Sequence, residues 1–371
     1  MSLSPPTSSA RSNYPPPRYQ GAGSNISLRA HVTLRNGIWA TSWLYLASIL
    51  ALIAILQVIS EHWWLGTALT YLPRSPYIVP GLLLLPFALW KDRRSVPVLL
   101  CGCAFVVGPV MNLHGNPLRA IWTLPHEKDE LRIVSCNVQG FRPKFEDIVA
   151  EISRIQPQVA MFQEAYLDHS LMHTYFAHWH VIREGNHVVA SLYPIKLLAV
   201  GKTTAFDRTT ALRVEVQTPQ GPIHVYSIHQ TSQRESLVQL RPWSFITGEG
   251  VNEVQSETDL RLLEAKETRS FVDQDDPAIP AIYAGDFNIT RDSSLYTSTW
   301  NDLANTFDNG GFGYAYTSLC YTKRIWPEGC PWVKVDHILA SPHWTSLECR
   351  AGTSNGSDHR LITARLRLNS R

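Results

Sequence analysis

Between residues 131 and 371 the polar side chains able to do chemistry cluster where short apolar runs stop. Asn137 falls at the end of LRIVSCNV, and Gln163-Glu164 follows PQVAMF. His229 ends IHVYSIH, and Asp286 and Asn288 lie in Ala284-Gly285-Asp286-Phe287-Asn288. Asp336-His337 follows Val335, and Ser357-Asp358-His359 precedes ITARLRL. Sheet scaffolds present side chains to a common cleft at strand ends. The set holds carboxylates, carboxamides and imidazoles, with no promising nucleophile among them. Hard oxygen donors suit magnesium, manganese or calcium, and imidazoles suit proton transfer near neutral pH. The chemistry they describe is metal-assisted attack by water on a phosphate ester.

The elements that must position these groups follow from periodicity. Residues 131–138, 157–163, 187–192, 211–217, 223–229, 281–287, 335–341 and 362–368 read as strands. Residues 144–155 and 256–272 read as amphipathic helices, the first with Phe145, Ile148, Val149 and Ile152 on one face. Strand runs separated by long helices predict sheets packed face to face with helices outside. No internal repeat is present.

The first third of the chain differs. Residues 1–126 carry nine Lys or Arg against two acids, and the remainder twenty-four against twenty-nine. The overall +2 is therefore the sum of a basic and an acidic region, and the acidic half has no global field to attract a polyanion. Residues 1–35, rich in Ser, Pro and Gly without an acid, read as a disordered basic tail. Residues 36–113 read as a membrane anchor of about three spans: Ile38–Ser60, which contains LYLASILALIAILQVI; the shorter, proline-interrupted Tyr77–Trp90; and Ser95–Leu113. Residues 114–130 read as a linker. The arginines of the tail and Lys91-Asp92-Arg93-Arg94 place both basic segments in the cytoplasm and residues 131–371 on the extracytoplasmic face of a plasma or inner membrane. Two spans instead of three would reverse that. Trp63, Trp64 and Trp90 fit interface anchoring.

The ordered set Asn137, Gln163-Glu164, His229, Gly285-Asp286-Phe287-Asn288, Asp336 and Ser357-Asp358-His359 resembles the motif series of the endonuclease/exonuclease/phosphatase superfamily, in its deoxyribonuclease- and sphingomyelinase-like branches, over residues 131–371. The resemblance implies a four-layer αββα sandwich: two mostly antiparallel sheets flanked by helices, here preceded by transmembrane helices. It implies a divalent cation, Mg2+ or else Mn2+ or Ca2+, held by Glu164 with Asn137 beside it and Asp358 helping to place it. His359, oriented by Asp336, would act on the attacking water or a phosphate oxygen. Asp286 would position or deprotonate that water, Asn288 would donate to the phosphate, and His229 would be the acid for the leaving group. Gln139, where abasic-site enzymes usually carry an acid, leans away from that branch.

Blander roles fit several other residues. His337 is expected to be structural, because its neighbour Asp336 fills the motif position and alternate strand residues face opposite ways. His178, His180 and His224 read as ordinary strand or surface histidines, and Arg261 and Glu264 as a surface ion pair. Cys101, Cys103 and Cys136 read as packing residues. Cys320 and Cys330 read equally as a disulfide or as two thiols. Asn25-Ile26-Ser27 and Asn355-Gly356-Ser357 match a glycosylation pattern short enough to recur by chance. The expected partners are a phosphate-ester substrate, either nucleic acid or phospholipid headgroup, and the lipid bilayer, with no protein partner inferred. Phosphomonoester hydrolysis and a catalytically silent membrane binding module are the alternatives, and Trp326 and Trp332 are the candidate aromatic residues for bilayer contact near the cleft.

Overall fold

Residues with buried side chains on both faces build the centre of the molecule. In the computed structural model the strands are β1 (His114–Gly115), β2 (Glu130–Asn137), β3 (Val159–Gln163), β4 (His180–Glu184), β5 (His187–Ser191), β6 (Ile195–Thr203), β7 (Arg208–Thr218) and β8 (Gly221–His229). They continue as β9 (Ala281–Asp286), β10 (Ala304–Asn305), β11 (Phe312–Gly313), β12 (Ser318–Leu319), β13 (Pro331–Val333), β14 (Asp336–Ala340), β15 (Trp344–Ala351) and β16 (Ile362–Leu368). The helices are α1 (Ala22–Ala54), α2 (Trp64–Tyr71), α3 (Val79–Lys91), α4 (Ser95–Phe105), α5 (Phe145–Ile155), α6 (Ser170–Tyr175), α7 (Glu249–Val272), α8 (Ser294–Thr299) and α9 (Thr306–Gly310). The structure describes residues 22–122, 124–125, 129–141, 144–166, 168–234, 237, 249–320, 326–354 and 356–369.

Two six-stranded sheets form, in the orders β15-β16-β2-β3-β5-β4 and β10-β14-β9-β8-β7-β6. Within them β2–β3 and β8–β9 are parallel and the other neighbours antiparallel. Ile133, Met161, Val189, Val214, Val225, Ile282 and Ile338 close the space between the sheets. On the outer face of the first sheet, Phe145, Ile148, Val149 and Ile152 of α5 are all buried, packed against Val134, Cys136 and Phe162. Outside the second sheet, Ala265 and Val272 of α7 and Leu295 and Tyr296 of α8 cover Tyr226 and Tyr283. This is the mixed α/β arrangement of two sheets flanked by helices that the pattern predicts.

Gly285 is needed for the second sheet to close. Its φ is 153°, and a Cβ there would lie 1.8 Å from the carbonyl oxygen of Ile228 on the parallel neighbour. Only glycine lets the two backbones approach this closely.

The N-terminal region departs from its sequence reading in three ways. α1 begins at Ala22, so residues 22–35, assigned to a disordered tail, are helical; they lie beyond the last proline of the tail and include Ala22, Leu28, Ala30 and Leu34, good helix formers. Residues 1–21 lie outside the described residues. Of the three apolar runs, one helix, Thr33–His62, is long and apolar enough to cross a membrane alone. Trp64–Tyr71 and Ser75–Lys91 reach that length only together, across an 89° bend, and Ser95–Val110 is shorter. The segment read as a linker is partly structured: β1 pairs with β11.

These helices pack on each other and on the sandwich. Cβ atoms at Gly81 and Gly102 would lie 2.8 and 2.6 Å from the Tyr45 ring, so small residues set the approach of α1, α3 and α4. Arg74 pairs with Asp292 at 2.5 Å, and Tyr314 and Tyr316 donate to the carbonyls of Val107 and Met111. Trp326 and Trp332 are half-buried; Leu118, Ile121 and Trp122, shortly after α4, are exposed.

Candidate active site

Strand register assembles the site. In the first sheet Asn137 lies opposite Gln163, which puts Glu164 just beyond. In the second, His229 lies opposite Asp286 and Asp286 opposite Asp336. The two sheets then meet through Asn137, whose amide donates to Glu164 Oε1 at 2.9 Å and to Asp286 Oδ2 at 3.0 Å. Glu164 and Asn288 both adopt left-handed backbone conformations, with φ of 53° and 51°. This turns their side chains out of the pleat and toward the cleft.

His359 sits between two carboxylates. Its Nδ1 is 2.8 Å from Asp336 Oδ2 and its Nε2 is 3.6 Å from Asp286 Oδ2. Burial alone would lower its pKa, but Asp336 and Asp286 outweigh that and hold the imidazole well above its ordinary value. Asp286 is itself buried, and burial together with Asp336 and Glu164 pushes its carboxyl up, against the pull of His359 and the Asn137 amide. Asp286 Oδ1 accepts the backbone N–H of Asn288 at 3.0 Å.

His229 has the opposite electrostatics. Its Nδ1 accepts from Arg208 at 2.8 Å and from Asn186 at 2.9 Å, which leaves the ring proton on Nε2, 3.6 Å from Glu164 Oε1. Burial, reinforced by Arg208, His187 and His359, holds its pKa well below the usual value. Asn288 donates to the Gln230 carbonyl at 2.7 Å, which ties the turns after β8 and β9 together. Asp358 is buried and pairs with Arg234 at 3.2 Å. Ser357 donates to the Asn137 carbonyl at 2.8 Å. A cleft of about 540 Å³ opens from Glu164, His229 and Asn288, bounded by Arg208, Glu253 and Glu257.

The donor set fits a hard divalent cation. Asp286, Asp336 and His359 each offer one ligand atom, all within 4.8 Å of one another, and Asp336 Oδ1 is buried without a hydrogen-bond partner among the described residues. Buried carboxylates this close repel each other unless a proton or a cation intervenes. The grouping differs from the ligand set read from sequence: Asn137 and Glu164 lie beside the triad through the amide bonds above, and Asp358 faces Arg234.

Several site residues carried no signal in the sequence. Arg208 opens β7 and looks like any surface base, Asn186 lies in a turn, and Arg234 follows no motif. Each acts only through residues distant along the chain. Arg261 and Glu264 are not a surface pair: both are buried, at 2% and 1% exposure. Helical spacing suggested a surface pair, but the face that carries them packs on the site, where Glu264 accepts from Thr231 N and Oγ1 at 2.7 and 2.9 Å. His337 is buried, with Nε2 2.8 Å from the Ile289 carbonyl oxygen and its ring against Phe287 and Tyr296. His224 is buried on its strand, 2.6 Å from Asp275. No disulfide joins Cys320 and Cys330; the Cys320 thiol donates to the Trp326 carbonyl. Asn355 lies outside the described residues.

Carboxylates, imidazoles and carboxamides gathered at the strand ends of a two-sheet sandwich suit metal-assisted hydrolysis of a phosphoester. Residues 134–359 match the model of the endonuclease/exonuclease/phosphatase family, and the chain belongs to that family. No curated protein matches it. Among solved structures it is similar to an endonuclease/exonuclease/phosphatase from Beutenbergia cavernae DSM 12333, with 19% identity, 66% of this chain and 72% of that chain covered, and a TM-score of 0.47. It is also similar to D. rerio TDP2 complexed with a single-strand DNA product (12% identity, 66% and 100% covered, TM-score 0.46). A third is the human Nocturnin catalytic domain with bound sulfate (16%, 68% and 99% covered, TM-score 0.44).

Proposed function

We propose that the chain is a membrane-tethered, divalent-metal-dependent phosphodiesterase, with a catalytic domain at residues 131–371 carried by an anchor at residues 36–113. The observation that carries the reading is the Asp336–His359–Asp286 constellation joined through Asn137 to Glu164. Glu164 and Asn137, with Asp358 helping to place the ion, are the groups that would hold Mg2+, or Mn2+ or Ca2+, beside the Asp286–Asp336–His359 cluster. When bound, the cation polarises the phosphoryl oxygen and offsets its growing charge. Asp286, raised by burial, takes or orients the proton of the attacking water. His359, kept protonated by Asp336, donates to a phosphate oxygen. Asn288, with one amide hydrogen spent on Gln230, uses the other on the phosphate. His229 is held neutral with its proton on Nε2, which suits hydrogen-bond donation toward the leaving oxygen better than outright proton release.

The tether reading draws on α1 and on large apolar side chains left exposed on the helices, such as Leu44, Leu83, Phe87 and Trp90. With three spans, the N-terminus is cytoplasmic and the catalytic domain extracytoplasmic. The substrate is a phosphodiester of nucleic acid or of a phospholipid headgroup; Glu253 and Glu257 at the cleft, with the acidic second half, favour the headgroup over a polyanion.

The test is hydrolysis of an aryl phosphodiester by the full chain with Mg2+, then release of nucleotides from DNA or RNA against release of headgroups from vesicles. Activity should vanish with a chelator, return with Mg2+ or Mn2+, and be lost in His359→Ala. Activity that survives chelation would remove the metal from the mechanism. Inertness toward every phosphoester with each cation would favour a silent binding module.

A further inference from the structure

We infer that the segment Ser60–Tyr71, at the end of the first apolar helix, belongs to the catalytic assembly and holds the turn that carries Asn288 through Arg261. The inference rests on the site reading above.

Arg261 is 2% exposed, and a buried guanidinium is tolerated only when its donors are satisfied. Its Nε donates to the Thr231 carbonyl at 2.9 Å and its Nη1 to Gln233 Oε1 at 2.8 Å. Its Nη2 donates to the Asn288 carbonyl at 2.5 Å and to the Tyr71 hydroxyl at 3.1 Å. One side chain therefore grips the turn after β8, which follows His229, and the turn after β9, which ends at Asn288. Tyr71 fixes that grip and donates its own hydroxyl hydrogen bond to Glu61 Oε1 at 2.8 Å.

Glu61 acts at the other end of the same stretch. Its Oε2 accepts from Ser294 Oγ at 2.9 Å and from the Leu295 N–H at 3.3 Å, at the start of α8. Ser60 Oγ accepts the Ser294 N–H at 3.1 Å. Between these points Arg74 binds Asp292. Residues 292–295 are thus held directly by Arg74, Ser60 and Glu61, and Asn288 indirectly through Arg261, which Tyr71 holds; Ser60, Glu61, Tyr71 and Arg74 are all buried. A helix serving only as a tether needs no such buried polar joint, because each of its groups must be desolvated to form it. Glu61, Tyr71 and Arg261 are positioning residues.

The experiment uses the full chain in detergent or nanodiscs. Tyr71→Phe keeps the ring and removes only the hydroxyl. Its kcat toward an aryl phosphodiester should fall about tenfold, the scale of one buried hydrogen bond, with KM within about twofold and Tm lower by about 2–4 °C because Glu61 and Arg261 each lose a buried partner. In an Asn288→Ala background the same change should cost nothing further, because the group it positions is gone. Equal losses in both backgrounds, or a loss carried by KM, would overturn the inference. Amide exchange supplies a readout independent of turnover: protection over residues 288–295 should drop in Tyr71→Phe while β3 stays unchanged. Unchanged exchange over 288–295 would overturn the coupling whatever the activity. If exchange responds but the wild-type chain hydrolyses no phosphoester, the coupling stands and the phosphodiesterase reading falls.

Discussion

At the scale of single residues, the surroundings of the site's two imidazoles push them in opposite directions. Asp336 and Asp286 raise His359, while burial and Arg208 depress His229. A raised histidine stays protonated through neutrality and loses its proton only in the alkaline range. Activity that requires the imidazolium should therefore decline on the alkaline side. Asp336→Asn removes a supporting charge, so the alkaline limb of the kcat/KM profile should shift to lower pH and kcat should fall about 10²-fold; an unmoved limb would show that Asp336 does not set the His359 proton. Lys334 gives a stability test. It is buried over the Phe307 ring at 4.0 Å, its Nζ has no hydrogen-bond partner among the described residues, and burial lowers its pKa to about 8 from 10.5. The folded state disfavours the charged form, so the penalty is complete below about pH 8, shrinks as pH rises from 8 to 10.5 and is absent above. Lys334→Met should raise stability at pH 7 by up to about 3 kcal/mol, and denaturant titrations should show the gain vanishing near pH 10.5. The motif residues were legible because each ends a strand in a recognisable order. Arg208, Asn186 and Arg261 were not, since a base or amide is informative only once its distant partner is known.

At the scale of elements, the strands that periodicity revealed are the eight interior ones: β2, β3, β5, β7, β8, β9, β14 and β16. The four it missed among the two sheets, β4, β6, β10 and β15, are the sheet edges. An edge strand is packed less completely and its alternation is diluted, as the mixed burial of β6 and the largely exposed β4 show. The prediction at this scale concerns Gly285. Gly285→Ala would drive a Cβ into the Ile228 carbonyl oxygen, a contact that only separation of β8 from β9 relieves. Chemical denaturation should show a loss above about 3 kcal/mol, or no soluble folded protein; a loss under 1 kcal/mol would mean that the two strands are not held at this spacing.

At the scale of the whole molecule, the division into tail, anchor, linker and catalytic part follows composition well and interfaces poorly. Hydropathy separates the apolar helices from the sandwich, yet it does not register Glu61, Tyr71 and Arg74, polar residues at helix ends that bind the sandwich. A fragment of residues 114–371 would leave Arg261 and Asp292 without these partners. It should unfold at lower temperature than the full chain and hydrolyse more slowly, by calorimetry and by turnover at matched metal. A fragment equal to the full chain in both would show that the joint is dispensable.

The pairing of Asp286 with both His229 and Asp336 has a consequence for how the protein tolerates change in chain length. Adding or deleting one residue inside β9 would offer Gly285 or Phe287 to the cleft where a carboxylate is required, and the error would spread to both neighbours at once. The same addition at the exposed residues 276–278 ahead of that strand, beyond Asp275 and its bonds to His224 and Tyr226, is absorbed before the pairing begins. Scanning single-codon insertions across residues 276–290 should divide sharply, with viable variants at 276–278 and inactive ones from Ala281 onward.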